Sequence, residues 1–209
     1  DLDLDHLVEL TELAGGQLGL ARTHIDQAHA IWAESGKADA LHLARIRSVE
    51  KSLLGAEGQP DQARDLALGV YEDLSRVLGP EHEETLQALN DYGTWVMEAG
   101  APEQALPIFE QVIESRRRVS GPDHPEIGTA LHNLQLCLLR LGRLPEARAR
   151  AEEALALRRR ILPPNHRDLA RSMAALAVIE ANTGSAQQAL TLRSEAIAIL
   201  RAQRRPDLL

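Results

Sequence analysis

Five glycines, Gly16, Gly58, Gly100, Gly142 and Gly184, stand 42 residues apart, and each is followed five positions later by an alanine: Ala21, Ala63, Ala105, Ala147 and Ala189. A second ladder runs at the same period of 42, with "GPEHEETLQAL" from Gly79, "GPDHPEIGTAL" from Gly121 and "PPNHRDLARSM" from Pro163. Self-similarity at a fixed period of this size means one supersecondary unit used repeatedly. Between the markers the pattern is helical. Leu131, Leu134, Leu138 and Leu141 follow at three- and four-residue steps, as do Ala105, Leu106, Phe109, Val112 and Ile113 in the other half of a unit.

Each unit therefore predicts a helix pair. The ladder glycine ends the first helix, where a left-handed residue is favoured, and the alanine lets the second helix approach closely. The Gly-Pro step after Val77 or Val119 stops the second helix, because the residue before proline is pushed out of the helical region. Val77, Val119 and Ile161 share the slot just before that stop. One pair cannot bury its apolar face alone, but stacked pairs can. The expectation is an all-α solenoid of about five helix-turn-helix repeats, approximately 1–36, 37–79, 80–121, 122–163 and 164–205, with one continuous core over 1–209.

Composition agrees. Aromatic residues are only 2% of the chain against 44% hydrophobic, so the core is built from Leu, Ala, Val and Ile, a mixture that favours helices. Cys137, the single cysteine, lies in the apolar run "LQLCLLRL" and reads as a buried thiol. A net charge of -8 argues against a nucleic-acid partner. No run approaches the roughly 18 apolar residues of a membrane span, and no signal peptide opens the chain; a cytoplasmic location is expected.

Glycine, alanine and period together resemble the tetratricopeptide repeats, in particular the long 42-residue variety of kinesin light chains and many bacterial proteins. The nearest unit is "TALHNLQLCLLRLGRLPEARARAEEALALRRRILPPNH", in its "LHNL", "LGRLPEA", "EEALALRR" and proline-rich link. The resemblance covers almost the whole chain. In the first unit, "DLDLDHLVELTELAGG" keeps only the glycine and the hydrophobic periodicity, and most aromatic slots of the family hold Leu or Ala here, with Phe109 the exception. It implies a right-handed solenoid forming one domain.

The cluster of Asp123, His124 and Glu126 invites a metal or acid/base reading, and His82 and His166 align with His124. Neighbouring helices pack about 8–10 Å apart, whereas zinc needs nitrogens at about 2 Å from one ion. The histidines are expected instead to serve the link by bonding free backbone groups at the next helix start. No phosphate loop, nucleophile elbow or His-Glu-x-x-His motif occurs, so neither enzyme activity, nor a cofactor, nor a metal is expected.

Arginine triplets at 116–118 and 158–160 are in register, and Arg76 occupies the slot of Arg118. The helix dipole and acids one turn earlier, such as Glu114, suffice to explain arginines near a helix C-terminus. The resemblance offers another reading, in which slots of the first helix and the last turn of the second line a concave surface. Those slots hold Arg45, Ser48, Asn90, Thr94, His132, Asn133, Arg140, Arg171 and Asn182, joined by Arg76, Arg118 and Arg160, and interrupted by Asp91 and Glu98. Such a groove would take a peptide bearing Asp, Glu or a free carboxylate.

Leu2, Leu4, Leu7, Val8, Leu10 and Leu13 fall on more than one side of a helix, the chain does not begin with Met, and no further helix is expected after Pro206. A segment of a longer protein, or self-association through an end repeat, is the expectation. The function expected is a non-catalytic protein- or peptide-binding scaffold with no nucleic-acid or membrane partner. The alternative is a domain of a bacterial transcriptional or signalling regulator that senses a small ligand or signalling peptide.

Overall fold

The computed structural model describes residues 18–34 and 40–204. They form α1 (Leu18–Glu34), α2 (Ala40–Ala56), α3 (Pro60–Leu78), α4 (Glu83–Glu98), α5 (Pro102–Ser120), α6 (Pro125–Arg140), α7 (Leu144–Ile161), α8 (Arg167–Asn182) and α9 (Ala186–Arg204), with no strand among the described residues. The readings made on Gly16, on the leucines of the first unit and on the segment after Pro206 lie outside the described residues. Two compact units, 1–101 and 102–209, contain α1–α4 and α5–α9. Within each unit, consecutive helices pack on one another.

The ladder residues do what the period requires of them. At Gly142 the backbone turns to φ 71°, and the amides of Gly142 and Arg143 donate to the carbonyls of Leu139 and Leu138 at 3.0 and 2.9 Å, satisfying the last carbonyls of α6. The partner alanines Ala63, Ala105 and Ala147 are fully buried, so any larger side chain would push the helix pair apart. Pro60 and Pro102 open α3 and α5, where a missing N–H costs nothing. At the far end of α7, Leu162 is extended (φ -111°, ψ 151°) ahead of Pro163, as the proline demands.

In the first unit, Ala21, Ile25, Ala28, Ile46 and Leu53 form one apolar cluster, and Ala44, Val70, Leu74 and Ala88 another. The second unit buries Phe109, Val112, Ile127, Leu131 and Ile179. Cys137 is buried among them; its thiol donates to the Pro102 carbonyl at 2.9 Å, and burial pushes its pKa up. No described helix is long and apolar enough to cross a membrane.

Candidate functional site

The histidines of the links are helix caps. His82, His124 and His166 each stand at the N-cap of α4, α6 and α8 in extended backbone, and each Nδ1 accepts from the amide two residues on, Glu84, Glu126 and Asp168, at 3.2, 3.4 and 3.1 Å. An imidazole nitrogen here takes the place of the usual Ser or Asp oxygen. Of the acids that make the stretch look like a site, Glu126 sits in the first turn of α6, where the dipole favours it, and Asp123 lies in the link before the cap.

The arginine triplets divide by direction. Arg116 and Arg158, the first of each, are only 1% and 2% exposed and so point inward, unlike the groove candidates Arg118 and Arg160. Arg158 Nη1 donates to Ser172 Oγ at 2.6 Å and to the Asp168 carbonyl at 3.4 Å. Gly128 leaves room for it, since a Cβ there would lie 3.0 Å from Arg158 Nε. Arg159 is exposed, with Glu195 at 3.8 Å. Arg160 turns to the link before α6, where its Nε donates to Asp123 Oδ1 at 2.8 Å. It lines a cleft of about 190 Å³ with Arg117, Glu153 and Leu157, and Arg117 is paired with Glu153. Arg118 is exposed in the last turn of α5.

A different group of the proposed residues does come together. His132 is half-buried on α6, hydrogen-bonded to Gln135, and faces Arg171 of α8 and the buried Arg158 of α7. Burial first, then the two guanidiniums, push its pKa down to about 4, so the ring is neutral at pH 7. Burial also lowers the pKa of Arg158, and no carboxylate oxygen lies within 4.0 Å of its guanidinium among the described residues. Arg171 has Asp168 at the edge of reach, 4.0 Å. Asn133 is half-buried on α6, and Arg140 is exposed in its last turn.

In the first unit the proposed cations Arg45 and Arg76 stand beside acids. Arg45 and Ser48 share a cleft of about 150 Å³ with Glu84, Gln87 and Asp91. Asp91 accepts from Gln87 at 3.0 Å and pairs with Lys51, which is 4% exposed. Arg76 pairs with Asp73 at 3.0 Å. Asn90 is 5% exposed, so in this conformation it has little surface to offer a peptide backbone. Lys51 was missed by the sequence reading. The available signal was its column in the repeat, which holds Gly93, Gln135 and Ala177, so a lysine there has to be buried and paired.

The sequence model of the tetratricopeptide repeat matches three overlapping stretches, residues 51–118, 96–160 and 136–202. The chain belongs to the tetratricopeptide repeat family. Comparison with curated protein sequences gives no match. Among solved structures, this tetratricopeptide chain is similar to BtubC from P. vanneervenii, with 19% identity and a TM-score of 0.79 over 96% of this chain and 80% of that one. It is similar to a kinesin light chain protein of Podosopora anserina with nearly identical TPR-like repeats, at 22% identity and a TM-score of 0.76 over 97% and 96% of the two chains. A Rap protein complexed with competence and sporulation factor matches at 16% identity and a TM-score of 0.78, over 98% of this chain and 55% of its own. At such identities the likeness concerns the fold, an all-α tetratricopeptide solenoid.

Proposed function

We propose that this tetratricopeptide chain is a non-catalytic, cytoplasmic interaction module whose repeats act as one solenoid domain, and that it binds a protein segment bearing carboxylates. The observation that carries the reading is the field at His132. Burial first, then Arg171 and Arg158, lower the pKa of the half-buried imidazole to about 4, and the two guanidiniums stand together beside it in a chain whose net charge is -8. A positive field concentrated on one helix face of an acidic protein attracts an anionic ligand. Arg171 and Arg140 are exposed and able to form bidentate contacts with a carboxylate, and Asn133 can hold a peptide group. The Rap protein among the structural neighbours is solved with competence and sporulation factor, which supports this family's use of the fold for binding.

Arg118 and Arg160 stay in the proposal as outer contacts, although Arg160 would have to leave Asp123 first. Arg45, Arg76 and Asn90 form a weaker extension in the first unit, where Arg76 pairs with Asp73 and Asn90 is 5% exposed. The test is fluorescence anisotropy with a labelled pool of short acidic peptides. Arg140→Glu with Arg171→Glu should abolish binding while Arg160→Glu weakens it less. Equal affinity for all three proteins would remove the reading.

A further inference from the structure

In the second unit the buried guanidinium of Arg158 has a defined seat. Its Nη1 donates to Ser172 Oγ at 2.6 Å and to the Asp168 carbonyl at 3.4 Å, and a Cβ on Gly128 would lie 3.0 Å from its Nε. Two periods earlier in the chain, the columns of Arg158, Gly128, Asp168 and Ser172 hold Leu74, Ala44, Glu84 and Ala88. The first unit keeps the positions of the seat and lacks the guanidinium.

What the first unit has there is a cleft of about 150 Å³, lined by all four of those residues. It is smaller than the roughly 300 Å³ at which pockets for whole small molecules begin, so its size suits the end of one side chain. Ala44, Leu74 and Ala88 are buried in one apolar cluster and give a planar group a floor to lie on.

The charges around this floor differ from those of the second unit. Gln87 stands where the second unit has Arg171, and Asp91 where it has Ala175. Two carboxylates, Glu84 and Asp91, therefore line the cleft, and the cation that opposes them is the exposed Arg45, at the column of Thr129. Lys51 pairs with Asp91 Oδ2 and Gln87 donates to Oδ1 at 3.0 Å, but each carboxylate oxygen can accept more than one donor.

We propose that this cleft takes an arginine side chain of a partner protein. The guanidinium lies over Leu74, where the second unit buries that of Arg158, and donates to Glu84, Asp91 and the Ser48 hydroxyl. Leu74 cannot supply that group itself, so it comes from outside the repeat. The site selects a cation and does not rest on the carboxylate reading of the His132 face.

The probe is the blocked pentapeptide Ala-Ala-Arg-Ala-Ala, titrated into the isotope-labelled 209-residue chain beside its citrulline and glutamate versions. Saturable amide shifts are expected at Ala44, Ser48, Gln87 and Ala88 with the arginine peptide, and none there with citrulline, which keeps the shape without the charge. Glu84→Gln should weaken binding roughly fivefold at unchanged helicity. Ala44→Gly with Leu74→Arg and Ala88→Ser copies the second unit, lets the chain's own guanidinium fill the cleft, and should abolish binding. Absence of saturable shifts at these residues, or equal affinity for the citrulline peptide, overturns the proposal. So does undiminished binding to the Glu84→Gln chain or to a folded triple variant. Saturable binding of the glutamate peptide at the same residues would assign the cleft to Arg45 and carboxylates and overturn it as well.

Discussion

Arg158 is 2% exposed and donates from Nη1 to the hydroxyl of Ser172 at 2.6 Å, so one helix of the second unit is fixed to the next by a buried cation and a neutral acceptor. The same columns of the first unit hold Leu74 and Ala88, which pack as apolar neighbours. Alanine therefore fits the Ser172 column. Ser172→Ala should destabilise the second unit by about 1–3 kcal/mol, because it orphans part of a buried guanidinium. Arg158→Leu combined with Ser172→Ala recreates the Leu74–Ala88 pairing and should recover most of that loss in urea unfolding. Additive losses would show that the hydroxyl contact is not what matters.

Glu180 is fully buried in a column otherwise filled by Leu54, Val96 and Leu138, and Arg148 Nε approaches it at 2.8 Å. Removing the arginine strands a carboxylate in the core. Arg148→Leu should cost about 2 kcal/mol, below the range for fully buried pairs because Arg148 is itself partly exposed. Arg148→Leu with Glu180→Leu, which copies Leu106 and Leu138 of the preceding repeat, should be near or above wild-type stability in thermal unfolding.

In the first unit, Trp95 of α4 lies directly on Gly55 of α2, and a Cβ at residue 55 would fall 1.8 Å from the Trp95 ring. Gly55→Ala should overpack that contact at a cost of about 1–3 kcal/mol, despite the better helix propensity of alanine. Tryptophan emission should shift to the red, and Trp95→Leu in the same chain should relieve the strain. An unchanged melting curve for Gly55→Ala would refute the packing described.

The depressed pKa of His132 makes the second unit sensitive to acid. Between the ordinary histidine value and about 4, the unfolded chain binds a proton that the folded chain refuses, so stability is full above about pH 6.5 and declines as pH falls. The share due to this ring is on the order of 2–3 kcal/mol at pH 4. His132→Asn, the residue that Asn90 supplies in the preceding repeat, should flatten that part of the profile. Parallel profiles for the two proteins would exclude His132 as the source.

Much of the fold was legible because the period fixes it: Gly142 and Ala147 mark the turn and the close approach, and the proline after Leu162 marks the stop. The capping role of His124 was legible too, from its place before the first turn. The directions of the arginines were not, since "RRR" spans most of a helical turn and only packing decides which of the three points inward. The columns held the missing clue. Arg158 shares a column with Leu74 and Leu200, Lys51 with Gly93 and Ala177, and Glu180 with Leu138. In these three columns the repeat geometry buries the charged residue, which takes its partner from a neighbouring helix. That partner, Asp91 for Lys51 or Arg148 for Glu180, lies far off in sequence and has no fixed spacing, so it could not be read.

The central claim is that a carboxylate-bearing segment binds the face around His132, and amide chemical-shift mapping of the isotope-labelled chain tests it most directly. On titration with the acidic peptide pool, shifts should cluster at His132, Asn133, Arg140 and Arg171, and the His132 ring should titrate at higher pH when the peptide is bound. Shifts confined to the cleft of Arg117, Glu153 and Leu157, or an unmoved His132 titration, would contradict the account.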